Sequence, residues 1–129
     1  MLEPIIIVDS SDIREGKIDE LRTAMSELAR FVEANEPQAI AYNVHLNEDE
    51  TRVTVFQVHP DSGSAEFHMT VAAAAFRQFT ELIALSGIDV YGKPSRVLLE
   101  RLRHKAQMLG SGAVAVHELL AGFTQFGVR

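Results

Sequence analysis

The 129-residue chain predicts an α+β fold of the ferredoxin-like type, an antiparallel sheet with its helices on one face and an added helix and strand at the C-terminal end. Three observations predict it. An apolar run, Ile5 to Val8, precedes an amphipathic segment; Glu36-Pro37 closes that segment and is followed by two strand-like runs around an acidic turn; a second helix start follows Pro60. Strand, helix, strand, strand, helix is the order of a split β-α-β unit.

Ile5, Ile6, Ile7 and Val8 are consecutive and β-branched, so a strand built from them is apolar on both faces. The polar cluster Asp9-Ser10-Ser11-Asp12 is expected to end it. From Ile13 or Lys17 to Ala34, Ile18, Leu21, Met25, Leu28 and Val32 recur at spacings of three and four, which predicts a helix with one buried stripe. Pro37 disfavours α conformation at Glu36 and closes the helix. Gln38 to Leu46 and Thr51 to His59 then read as a hairpin around Asn47-Glu48-Asp49-Glu50. Ser62 or Ser64 is the expected N-cap of a helix over Ala65 to Ala84. A short strand is expected over Ile88 to Tyr91. Pro94-Ser95 starts a third helix that turns Val97, Leu98, Leu102 and Met108 or Leu109 inward, with Gly110 as its cap. Arg96, Arg101, Arg103 and Lys105 are read as its solvated outer face, and a last strand over Ala113 to Leu120 completes the chain.

The length fits a single domain with a core at about 5–92 and an extension at about 95–129. With 47% hydrophobic and 23% charged residues the composition is globular, and a formal net charge of -6 disfavours nucleic acid as a partner. The absence of cysteine removes disulfides, thiolate metal sites and a thiol nucleophile from consideration. No apolar run is long enough for a secretion signal or a membrane span, so a cytoplasmic protein is expected.

Two helices cover only one face of a four-stranded sheet. Strand one is apolar on both faces, and strand two sets Tyr42, Val44 and Leu46 against Ala41, Asn43 and His45. The second face therefore predicts a homodimer, sheet against sheet, unless the C-terminal extension roofs it within one protomer.

The strand followed by Arg14-Glu15-Gly16-Lys17, then Glu36-Pro37-Gln38-Ala39-Ile40-Ala41-Tyr42, then the hairpin leading to Asp61 and Ala65-Glu66-Phe67-His68, resembles the antibiotic biosynthesis monooxygenase family of the dimeric α+β barrel superfamily. The resemblance covers roughly residues 5 to 92. It implies a monooxygenase acting on a small aromatic or quinol-like substrate with neither metal nor flavin, the deprotonated substrate itself reducing dioxygen. Such a site needs a base, polar groups that orient the phenol, and an apolar enclosure. His68 is the candidate catalytic base, with Tyr42, Asn43, Gln57 and His59 as candidate substrate-binding groups. The position where many members carry an aromatic residue is His59, and strand one lacks the Asn that haem-degrading relatives use. The alternative is a non-catalytic dimeric module that binds a small ligand or a partner. His45, His59 and His68 have no close ligand spacing, so no metal is expected, and no cofactor. Ser62-Gly63-Ser64 and Gly110-Ser111-Gly112 read as turns.

Overall fold

The computed structural model describes residues 3–126; Met1, Leu2 and the last three residues of the extension lie outside the described residues. Five strands form one mixed sheet in the order β2-β3-β1-β4-β5. These are β1 (Ile5–Ile13), β2 (Ala41–Leu46), β3 (Arg52–His59), β4 (Ile83–Tyr91) and β5 (Val114–His117). The first four are antiparallel neighbours and β5 adds in parallel to the outer edge of β4. Helix α1 (Ile18–Asn35) connects β1 to β2, and α2 (Ser62–Val71), the single turn α3 (Ala73–Phe76) and a 3₁₀ segment (Arg77–Glu81) connect β3 to β4. Helix α4 (Arg96–Leu109) follows β4. This is the ferredoxin-like α+β arrangement expected.

Strand β1 does not end at Val8. It continues to Ile13 because it is the central strand, hydrogen-bonded to β3 on one side and β4 on the other, and this two-sided pairing outweighs the weak strand preference of Asp9-Ser10-Ser11-Asp12. Its alternation persists: Ile5, Ile7, Asp9 and Ser11 are buried under the helices while Ile6, Val8 and Ser10 point to the other face. The longer β1 requires a longer partner, so β4 starts at Ile83, opposite Ile13, and the helix expected to run to Ala84 breaks at Ala72. A register shift between Ser10 and Ser11 absorbs one residue of β4.

Helix α1 buries Leu21, Ala24, Met25, Leu28 and Val32, close to the expected stripe. The cap of α2 is Asp61, whose side chain accepts from the Ser64 N–H at 2.8 Å, rather than Ser62 or Ser64. Ser95 caps α4, accepting from the Leu98 N–H at 3.0 Å. Leu98, Leu102, Ala106 and Leu109 enter the same core as α1 and the sheet, whereas Val97 is exposed. Lys105 is not on the outer face; it is buried, as the next subsection describes. Gly110 closes α4 by bridging to Leu85, and a Cβ at Gly110 would run into the Leu85 carbonyl. The last strand spans only Val114–His117, and residues 118–126 leave the sheet without regular structure.

Helix α4 packs against α2 and β4, in the same layer as the other helices. The opposite sheet face, with Ile6, Val8, Phe56 and Tyr91 in register on β1, β3 and β4, is therefore not roofed by it. Phe56 and Tyr91 are 36% and 43% exposed.

Candidate functional site

A cluster of buried polar side chains interrupts the core where the C-terminal end of α1, the helix-facing side of β1, β2 and β3, and the inner faces of α2 and α4 meet. The alternation of each strand decides its contributors. On β3, Gln57 and His59 share the inward face with Val53 and Val55; on β2, Tyr42 shares it with Val44 and Leu46; on β1, Asp9 and Ser11 follow Ile5 and Ile7. On α2, Ser64, Ala65, His68 and Met69 form the buried stripe.

His68 Nδ1 lies 2.8 and 2.9 Å from the two carboxylate oxygens of Glu36, and both residues are essentially removed from solvent. Glu36 is fixed in this role by its place: it is the C-cap of α1, immediately before Pro37, with its backbone N–H bonded to the Val32 carbonyl. An ionised carboxylate only accepts, so Nδ1 carries a proton, and in the neutral form of the ring Nε2 presents a lone pair. That Nε2 is buried and has no hydrogen-bond partner among the described residues. Gln57 Nε2, a donor, is buried and unpartnered as well. Buried polar atoms are rarely left so, and both occur around one ring system: the rings of His59 and His68 are 5.9 Å apart.

His59 is occupied at both nitrogens. Gln57 Oε1, 3.0 Å from Nε2, can only accept, so Nε2–H donates to it and Nδ1 accepts from the Ser64 hydroxyl at 2.9 Å. Burial, and then the charge that His68 carries when protonated, push its pKa down to about 4 against an opposing pull from Asp61. His59 is thus a neutral prop for Gln57 with no nitrogen free to act as a base. Tyr42 lies with its ring 5.3 Å from that of His68, and burial followed by the charges of Asp9 and Glu36 raises its pKa, so the phenol stays protonated and is a hydrogen-bond donor.

A second buried ion pair stands beside the first. Lys105 Nζ reaches Asp9 Oδ2 at 3.3 Å and lies 4.5 Å from the centroid of Phe76, whose ring is in turn 6.0 Å from His68. Two clefts of about 500 Å³ flank the cluster. One, between α1 and β2, has Tyr42 in its wall; the other, between α2–α3 and α4, has Phe76 and Lys105. His68 lines neither, so it stands in the partition that the Tyr42 and Phe76 rings make.

Of the expected site residues, His68, Tyr42, Gln57 and His59 converge. Asn43 does not: alternation turns it to the opposite sheet face from Tyr42, where it is exposed at the edge. His45 shares that face, and no cluster of His, Asp and Glu suited to a metal occurs among the described residues. Glu36, Asp9, Ser64 and Lys105 were missed. Lys105 alone had a signal, since it falls at the 98, 102, 105, 109 spacing of the apolar stripe of α4. No described helix is long and apolar enough to cross a membrane.

No family model and no curated protein matches the chain. Solved structures do. The chain is similar to MupZ from Pseudomonas fluorescens at 19% identity and a TM-score of 0.76, over 100% of this chain and 94% of that one. It is similar to a protein from Shewanella oneidensis at 24% identity and a TM-score of 0.62, over 72% and 93% of the two chains. A putative antibiotic biosynthesis monooxygenase from Caulobacter crescentus aligns at 18% identity and a TM-score of 0.62, over 73% and 91%. The chain therefore has the antibiotic biosynthesis monooxygenase-like fold, and its C-terminal extension falls within the part that superposes on MupZ.

Proposed function

We propose that this chain, built on that fold, is a cofactor-independent monooxygenase of a small aromatic or quinol-like molecule, with His68 as its base. The observation that carries the reading is the buried Glu36–His68 pair, which leaves Nε2 without a hydrogen-bond partner and, in the neutral form of the ring, open to take a proton. A phenolic substrate gives its proton to Nε2, and the Glu36 carboxylate stabilises the imidazolium that forms. The phenolate donates electron density from a ring carbon to dioxygen, the carbon hydroperoxide loses water, and a quinone remains; phenol plus dioxygen balances quinone plus water. Gln57 Nε2 and the Tyr42 hydroxyl supply donors to the substrate oxygens. Because Tyr42 and Phe76 close the partition, a substrate reaches Nε2 by displacing one of these rings.

The exposed Phe56 and Tyr91, with Ile6 and Val8 beside them, support a homodimer through the sheet face opposite the helices. The second reading, a non-catalytic small-ligand-binding module of the same fold, is favoured by one observation: His68 lines neither cleft. Oxygen uptake with a panel of quinols and dihydroxy aromatics separates the two. The expected result is turnover that falls about 10²- to 10⁴-fold in His68→Gln and at least about tenfold in Glu36→Gln. Quinol binding without uptake by the native protein would establish the module instead, and equal rates in His68→Gln would remove the base.

A further inference from the structure

The cleft between α2–α3 and α4 gathers positive charge around an apolar floor, in a chain whose formal net charge is -6. Met69, Phe76 and Met108 supply the apolar surface, and Arg77, Arg101 and His104 stand on the walls. Arg77 opens the 3₁₀ segment, whereas Arg101 and His104 are one turn apart on α4, so the basic groups come from both sides. Seven ion pairs form among the described residues, and none of them takes up Arg77, Arg101 or His104. Arg101 is nevertheless held in place: its Nη1 donates to the Glu66 carbonyl at 3.1 Å and the Thr70 hydroxyl at 2.6 Å, which leaves the N–H groups of Nε and Nη2 for another acceptor. Glu100, the acid of the wall, has its carboxylate 4.0 Å from Arg96, and the charge of Lys105 in the floor is met by Asp9. Two guanidinium charges are thus left unanswered. The cleft between α1 and β2 differs in this respect, because its Arg22 is paired with Glu50.

A volume of about 500 Å³ suits a small organic molecule. The planar fork of a guanidinium matches a carboxylate, and Phe76 between two methionines offers a surface for an aromatic ring. The Phe76 ring is also 6.0 Å from that of His68, so a molecule lying on Phe76 is one side chain away from the proposed base. We infer that this cleft binds a small aromatic carboxylate, its acid group on Arg77 and Arg101 and its ring against Phe76, Met69 and Met108. The inference rests on the monooxygenase reading only where it makes that molecule the substrate, a quinol with an acidic side chain that enters by displacing Phe76 rather than Tyr42. Binding at the cleft stands apart from the chemistry.

Titration calorimetry under nitrogen tests the binding, with hydroquinone bearing a ring acetic-acid group as one probe and the methyl ester of the same compound as the other. The native protein should bind the acid at least about tenfold more tightly than the ester. Arg77→Gln should erase most of that preference while leaving ester binding as it was. Arg103→Gln, at an exposed position of α4 outside the cleft, should preserve the preference. Ala73→Trp, at an exposed position in the cleft wall, should fill the space and abolish binding of both probes. Equal affinity for acid and ester, a preference that survives in Arg77→Gln, or binding that survives in Ala73→Trp would overturn the inference. So would a preference weakened as much by Arg103→Gln, which would make it an effect of the general field. Oxygen uptake with the same probes separates the two proposals. A preference for the acid without uptake would support the cleft and remove the monooxygenase reading, whereas uptake with no preference would overturn the cleft and leave that reading standing.

Discussion

Replacing Lys105 by Met keeps most of the volume of its side chain and removes its charge, stranding the Asp9 carboxylate in the core. At 3.3 Å and an effective dielectric of about 20, the attraction lost is about 5 kcal/mol. The side chains are only 9% and 8% exposed, so little water compensates. Removing one partner of such a pair costs about 3–5 kcal/mol, and the contact with Phe76 adds roughly 1 kcal/mol. Against a total stability of about 5–15 kcal/mol this is a large fraction. With a slope of about 2 kcal/mol per molar urea, the midpoint should fall by about 2 M. The double variant Asp9→Asn, Lys105→Met should recover more than half of the loss, since two neutral groups no longer leave a buried charge. Urea unfolding followed by circular dichroism reads both. A cost below about 1 kcal/mol for Lys105→Met, or a double variant as unstable as the single, would refute the reasoning.

His59 makes stability depend on acid. Its folded pKa of about 4 lies below the unfolded value of 6.5, so the unfolded chain binds more protons between them; stability is intact above about pH 6.5 and declines as pH falls toward 4, by ~3 kcal/mol in all. His59→Gln should flatten that part of the pH–stability curve, and an unchanged slope would count against the assignment. Asp61→Ala removes the cap of α2 and should cost ~1 kcal/mol in thermal or urea unfolding, whereas Ser62→Ala should leave the cap intact.

Most of the architecture was legible in the sequence because it follows from periodicity: the α1 stripe, the hairpin, the Ser95-capped helix and the order of elements all appear where the residues put them. The errors in β1 and β4 share one cause. Reading Asp9-Ser10-Ser11-Asp12 as a terminator shortened β1 to Ile5–Val8, and the four residues expected of the fourth strand, Ile88 to Tyr91, pair with Ile6 to Asp9 and so follow from that same truncation. Two-sided pairing of a central strand is a long-range fact that no local propensity carries. The site divides similarly. His68, Tyr42, Gln57 and His59 could be singled out by chemistry and strand parity, but Glu36 is far from His68 in sequence, and Asp9 and Lys105 identify each other only across the folded core. Asn43 was grouped with Tyr42 as a substrate-binding candidate although the alternation of β2 already set the two on opposite faces.

The packing of Leu98, Leu102 and Ala106 into the common core, with α4 against α2, the 3₁₀ segment and the sheet, means that α4 has no independent existence as an appendage. Transplanting residues 95–126 onto a shorter protein of this fold would require a hollow of matching shape beneath it and an acid at the position of Asp9. Grafting is thus constrained from the recipient's side, by the interior it can offer, rather than by the length of the joining loop.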